Sequence, residues 1–124
     1  MEALPKTPFD CVLLPGGPGV QRLCADSRVL EAVRKQHAAG GWIAAICAAP
    51  LVLKASGVLE GRRYTAHFSV ASELPEALLE ERVVVDGKLI TSRGAGTALE
   101  FGLTLVAQLF SESKAAEIAR SISA

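Results

Sequence analysis

Short apolar runs and mixed polar–apolar stretches alternate along this chain and read as strands and helices in turn. Phe9 to Leu14 (Phe-Asp-Cys-Val-Leu-Leu) is a strand candidate, closed by Pro15-Gly16-Gly17-Pro18-Gly19. Asp26 or Ser27 can cap a helix that runs to about Ala39. Within it Val29, Leu30, Val33 and His37 recur at helical spacing, with Arg28, Glu31, Arg34 and Lys35 between them. Gly40-Gly41 ends that helix. Trp42 to Ile46 follows as a short apolar run of the kind that forms a buried parallel strand. Ala48 to Ala55 reads as a helix, with Pro50 tolerated in its first turn and Gly57 as its stop.

The second half is read the same way. Gly61 to Thr65 predicts another short strand, near Arg63–Thr65, followed by Ala66-His67-Phe68-Ser69. Glu73-Leu74-Pro75-Glu76 punctuates the chain, and Glu76 to Glu81 predicts a short helical turn. From Arg82 to Ser92 two β-branched runs flank Asp86-Gly87, which predicts a hairpin with a two-residue type I′ turn. Arg93-Gly94-Ala95-Gly96 leads into a helix whose Thr97-Ala98-Leu99-Glu100 start has the form of a capping box. Leu99, Leu103, Val106 and Phe110 are its expected apolar stripe, and Gly102 allows close packing. Glu112 to Ile122 predicts a last short helix. No repeat, low-complexity segment or linker interrupts residues 1–124, so a single domain is expected.

Strand, helix and strand make one right-handed βαβ unit. Its two strands end on the same edge, which brings Pro15–Gly19 and Cys47 together where open α/β sheets bind ligands. The expected fold class is α/β, with a mostly parallel sheet, one antiparallel hairpin and helices on both faces.

Composition narrows the function. Half of the residues are hydrophobic, enough for a real core in 124 residues. Lys plus Arg balances Asp plus Glu at 13 each, and no basic run argues for a nucleic-acid partner. Trp42 to Leu53 is the longest apolar stretch and contains Pro50, so no membrane span is expected. Met1 to Asp10 holds Pro5 and Pro8 without an apolar centre, so no secretory signal is expected there. Cys11, Cys24 and Cys47 form no CxxC pair and no metal-ligand spacing, which suits a reducing cytoplasm and predicts no metal site and no cofactor.

The candidate chemistry centres on Cys47. It falls where a strand turns sharply into a helix, an elbow that lifts a nucleophile above a sheet and exposes it. The free N–H groups at the start of the next helix favour the thiolate, the form that attacks carbonyls. The plain alternative is a small buried hydrophobe, the commoner fate of a free cysteine. The glycines after the first strand can present backbone N–H groups to an anion or merely turn the chain. His67, at the end of the third expected strand, can orient or carry a proton beside Cys47, or simply cap a turn. His37 has only a structural reading, near a helix C-terminus. Gly94–Gly96 can cradle a phosphate, although a loop serving the helix cap is the simpler reading.

Taken together, Leu13-Leu14-Pro15-Gly16-Gly17, Ala44-Ala45-Ile46-Cys47-Ala48-Ala49-Pro50, Thr65-Ala66-His67 and the stretch from Ile90 to Phe101 resemble the ThiJ/PfpI family in order and spacing, over nearly the whole chain. The resemblance implies a flavodoxin-like three-layer sandwich. It implies Cys47 as the reactive nucleophile and His67 as the nearby histidine. Gly16, Gly17 and Ala48 would then be the oxyanion or substrate-binding backbone. The implied activity is a cofactor-independent glyoxalase or deglycase type of reaction on a small carbonyl compound or a glycated protein. The alternatives are a chaperone-like protein or oxidative-stress sensor that uses Cys47 oxidation, and an inactive fragment. The proteolytic branch carries histidine directly after its cysteine; here that residue is Ala48, which argues against a peptidase. Family members also begin with strands and a helix that precede the segment seen here, and that portion carries the glutamate that pairs with the cysteine. The chain is therefore expected to pair with such a segment or to form a homo-oligomer, and to turn over carbonyls poorly by itself.

Overall fold

The computed structural model describes residues 9–124. Four strands form one sheet: β1 (Cys11–Leu14), β2 (Trp42–Ile46), β3 (Val83–Asp86) and β4 (Leu89–Ser92). Five helices accompany them: α1 (Val20–Ala25), α2 (Ser27–Ala38), α3 (Pro50–Ser56), α4 (Ala98–Leu109) and α5 (Glu112–Ser121). The sheet order is β1-β2-β4-β3. β2 pairs parallel with β1 and with β4, and β3 closes the sheet antiparallel to β4.

Side-chain size explains why β2 lies inside the sheet. Ala44 and Ala45 are fully buried on opposite faces and let both helical layers approach closely. On one face Leu14, Ile43, Ala45 and Leu89 pack with Val33 of α2 and Val52 and Leu53 of α3. On the other, Ala44 and Ile90 pack against Phe101, with Trp42, Ile46 and Leu105 partly buried around them. The result is a three-layer α/β sandwich. Gly57 ends α3 in the left-handed region, as a C-terminal glycine should.

Buried polar groups pin the layers. Gln36 of α2 is fully buried; its Nε2 donates to Phe9 O (2.8 Å) and Trp42 O (3.1 Å), and its Oε1 accepts Phe9 N–H (3.0 Å). One side chain thereby ties α2 to the starts of β1 and β2. A Cβ on Gly41 would collide with the Gln36 amide, so a larger residue there would force Gln36 out of these bonds.

Several expectations are corrected. Residues 61–65 do not form a strand. Both sides of β4 are already taken by β2 and β3, so the segment crosses beside the sheet and bonds to side chains instead. Thr65 N–H donates to Thr91 Oγ1 (2.9 Å), and Arg63 N–H to Asp86 Oδ2 (2.7 Å). The stretch from Glu76 to Glu81 makes hydrogen-bonded turns without a helix. The hairpin is present, but Asp86 pairs with Leu89, so the two-residue loop is Gly87-Lys88 and not Asp86-Gly87. Only Gly87 has positive φ (+59°), the pattern of a type II′ turn with glycine first. A six-residue helix that the sequence reading did not include, α1, carries Cys24.

The capping box does not form either. Thr97 Oγ1 donates to Gly94 O (3.0 Å), and Glu100 accepts from Arg82 Nε (2.6 Å). The buried stripe of α4 runs through Phe101 and Leu105, while Leu99 is 53% and Phe110 77% exposed. On α2 the inward position is Gln36 and not His37, which is exposed.

Thr65 and Thr91 supply a stability test. Both are fully buried, yet the Thr65 hydroxyl has no hydrogen-bond partner among the described residues. Thr91→Val strands the buried Thr65 N–H and should cost about 1–3 kcal/mol, whereas Thr65→Val should leave stability unchanged or raise it. Urea unfolding checks both, and a Thr65→Val loss as large as that of Thr91→Val contradicts this assignment.

Candidate functional site

The C-terminal end of β2 is where the sequence concentrates its chemistry. Cys47 follows Ile46 directly, and α3 begins three residues later at Pro50. Cys47 holds φ at +66°, and Ser123 is the only other non-glycine residue with positive φ among the described residues. A side chain in that region is uncommon and costs about 1–2 kcal/mol, so the surrounding structure must impose it. It does so from both sides of the residue. Cys47 N–H donates to Ser92 O at the end of β4 (2.9 Å), and Cys47 O accepts the N–H of His67 (2.8 Å). The elbow read from the pattern of residues is thus present, with Cys47 at its bend.

The glycine-rich loop after β1 faces this elbow. A Cβ on Gly16 would stand 2.6 Å from Cys47 Cβ and 3.3 Å from Cys47 Sγ. No other residue lets the loop come this close. Gly17 then takes φ of +99°, turning the loop over the sheet edge. Among the described residues, the N–H groups of Gly17 and Ala48 donate to no protein acceptor. The structure therefore brings Gly16, Gly17, Cys47 and Ala48 together at the carboxyl edge of β1 and β2.

His67 joins through its main chain. Its ring is held by Ser69: Nδ1 accepts Ser69 N–H (3.1 Å) and lies 2.8 Å from Ser69 Oγ. An accepting Nδ1 places the proton of the neutral ring on Nε2. The ring lines a cavity of ≈ 400 Å³ with Phe68, Arg82, Arg93 and Gly94–Thr97, and Cys47 is not among that cavity's walls. The capping reading of His67 is met, since its side chain caps the turn at Phe68–Val70, while its contact with Cys47 is through the main chain.

Ser92 is a site residue that the sequence reading did not single out. Its carbonyl holds Cys47, and its hydroxyl donates to Arg82 O (2.8 Å) and lies 2.5 Å from Thr97 Oγ1. The available signal was its place at the end of a β-branched run in Ile90-Thr91-Ser92-Arg93-Gly94. The other two cysteines lie in less reactive settings: burial pushes the thiols of both Cys11 and Cys24 up from their ordinary range. Among the described residues, no group of three or more His, Cys, Asp or Glu could hold a metal ion. No helix among them is long and apolar enough to cross a membrane.

Comparison with known proteins places this geometry. A sequence profile of the DJ-1/PfpI family matches residues 2–108. The chain is 42% identical over 118 residues to protein dj-1beta of Drosophila melanogaster, covering 92% of this chain and 63% of that protein. The crystal structure of Drosophila melanogaster DJ-1beta superposes with a TM-score of 0.86 at 40% identity, over 93% of this chain and 64% of that one. Identity to the glutathione-independent glyoxalase DJR-1.2 of Caenorhabditis elegans is 40% over 104 residues, covering 82% of this chain and 55% of that protein. Identity to isonitrile hydratase of Pseudomonas putida is 37% over 118 residues, 88% of this chain and 52% of that protein. The chain thus spans less than two thirds of the length of these relatives. The sandwich is flavodoxin-like, as in its structural neighbours. With a profile that matches most of its length and relatives at about this identity, the chain belongs to the DJ-1/PfpI family.

Proposed function

We propose that this chain carries the nucleophilic half of a cysteine-dependent enzyme acting on reactive carbonyl compounds such as 2-oxoaldehydes. The observation that carries the reading is the strained Cys47 elbow beside two unused N–H groups, on Gly17 and Ala48. Likeness to a glyoxalase supports the same reaction class. In this reading the Cys47 thiolate adds to the aldehyde carbon, forming a C–S bond. The carbonyl electrons move to oxygen, where the Gly17 and Ala48 N–H groups stabilise the charge. A proton then moves from the former aldehyde carbon to the neighbouring carbon through an enediol, giving a thioester of the 2-hydroxy acid. Water cleaves that thioester and restores the thiol. The route consumes one water and draws on no cofactor. His67, with its proton on Nε2, is the candidate proton carrier.

The open edge of the sheet supports an assembly proposal. β1 has no partner strand on its outer side among the described residues, and Leu13 upon it is 53% exposed. An apolar open edge favours pairing with another chain. We infer that β1 is covered either by a second copy of this chain or by a preceding segment of the family fold, which light scattering at micromolar concentration checks; a well-folded, unaccompanied monomer contradicts it.

The chemistry has its own test. Release of 2-hydroxy acid from methylglyoxal should vanish in Cys47→Ser, while His67→Gln should lower kcat about a hundredfold with KM nearly unchanged. Equal release by Cys47→Ser and the unaltered chain contradicts the proposal.

A further inference from the structure

His67 takes the capping place of the turn at Phe68–Val70, where Ser, Thr, Asp or Asn is the ordinary choice. Its Nδ1 accepts the Ser69 N–H at 3.1 Å. A backbone N–H can only donate, so the ring nitrogen that meets it carries no proton. The Ser69 hydroxyl, 2.8 Å from the same nitrogen, is then a donor as well. One residue supplies both bonds to Nδ1, and a cap needs only the first. The turn has its own main-chain bonds, Val70 N–H to His67 O and Ala71 N–H to Phe68 O, each 3.1 Å, and Val70 anchors it in the core.

Two further contacts fix the ring. The Phe68 ring lies 4.3 Å away, centroid to centroid, tilted by 31°. A Cβ on Gly94 would stand 3.2 Å from Cδ2, the carbon bonded to Nε2, so the Nε2 edge lies toward the 93–97 loop. Nε2 itself makes no hydrogen bond among the described residues. The two nitrogens are thus unequal: Nδ1 is occupied twice, and the protonated Nε2 is left free on a ring that lines the ≈ 400 Å³ cavity.

We propose that Ser69 is a positioning residue, which holds His67 in the neutral form protonated on Nε2 and keeps that proton available to substrate. The role rests on the carbonyl reaction proposed for Cys47. As the enediol forms, charge gathers on the ketone oxygen beside the former aldehyde carbon. A neutral imidazole that donates from Nε2 stabilises that oxygen, which the other tautomer cannot do from the same place. Ser69 touches neither substrate nor sulfur in this scheme and acts only through His67.

Long-range 1H–15N spectra of the histidine-labelled chain, at a pH high enough to keep the rings neutral, test the hold without turnover. For His67, Nδ1 should appear unprotonated and Nε2 protonated, while the exposed His37 should give averaged values. Ser69→Ala should move His67 toward that average. Ser69→Asp, whose carboxylate only accepts, should protonate Nδ1. Ser69 is exposed, and unshifted amide resonances at Val70 and Leu74 would show that the variants keep the fold. Methylglyoxal turnover tests the role. Ser69→Ala should lower kcat about fivefold with KM unchanged, and Ser69→Thr should restore it. In a His67→Gln background Ser69→Ala should cost nothing more, because the two residues act as one unit. Averaged His67 nitrogens in the unaltered chain, or a full Ser69→Ala loss in the His67→Gln background, overturn the role of Ser69 alone. Absence of Cys47-dependent turnover in the unaltered chain overturns the carbonyl reaction, and the role with it, whatever the ring nitrogens show.

Discussion

The left-handed backbone of Cys47 is the constraint on which the rest of the site depends. A cysteine at φ of +66° gives up about 1–2 kcal/mol against an ordinary conformation. The fold holds it there with one bond from each side, to Ser92 at the end of β4 and from His67 after the crossing segment. The bend also decides what can stand opposite. Gly16 approaches so closely that even a methyl group would strike the cysteine side chain. The elbow and the glycine loop are therefore one feature: the strained residue needs the loop to be glycine, and the loop needs the elbow to face.

Polar groups buried beneath this edge keep its parts in register. Ser92 fixes Cys47 through its carbonyl and reaches Thr97 and Arg82 through its hydroxyl, which joins the elbow to the 93–97 loop. At the far end Gln36 ties α2 to the entries of β1 and β2. Between them Thr91 takes the N–H of the segment that cannot enter the sheet. A buried polar group left without its partner costs about 1–3 kcal/mol, so each of these contacts selects one arrangement of the layers.

The parts legible in the sequence were those set by local chemistry. The two parallel strands beside the glycine loop, the cap at Asp26, the stop at Gly57 and the elbow at Cys47 follow from residue types within a few positions. The misread parts were decided at long range. Residues 61–65 have strand character, but β3 and β4 occupy the place in the sheet that a strand would need. The hairpin loop moved by one residue because Asp86 is drawn into the ladder opposite Leu89. The α4 stripe turned toward Phe101 because that residue meets Ala44 and Ile90, a fit invisible to periodicity. At the candidate site Gly16 stands against Cys47, whereas His67 meets Cys47 through the backbone and turns its ring toward a neighbouring cavity.

The account rests on Cys47 being the reactive thiol because of where the fold places it. Brief iodoacetamide treatment of the folded chain at neutral pH, followed by peptide mass spectrometry, addresses that directly. Burial raises the thiols of Cys11 and Cys24. Cys47 should therefore be alkylated first and nearly completely before either of the others is modified. Preferential labelling of Cys24 or Cys11 would contradict the account.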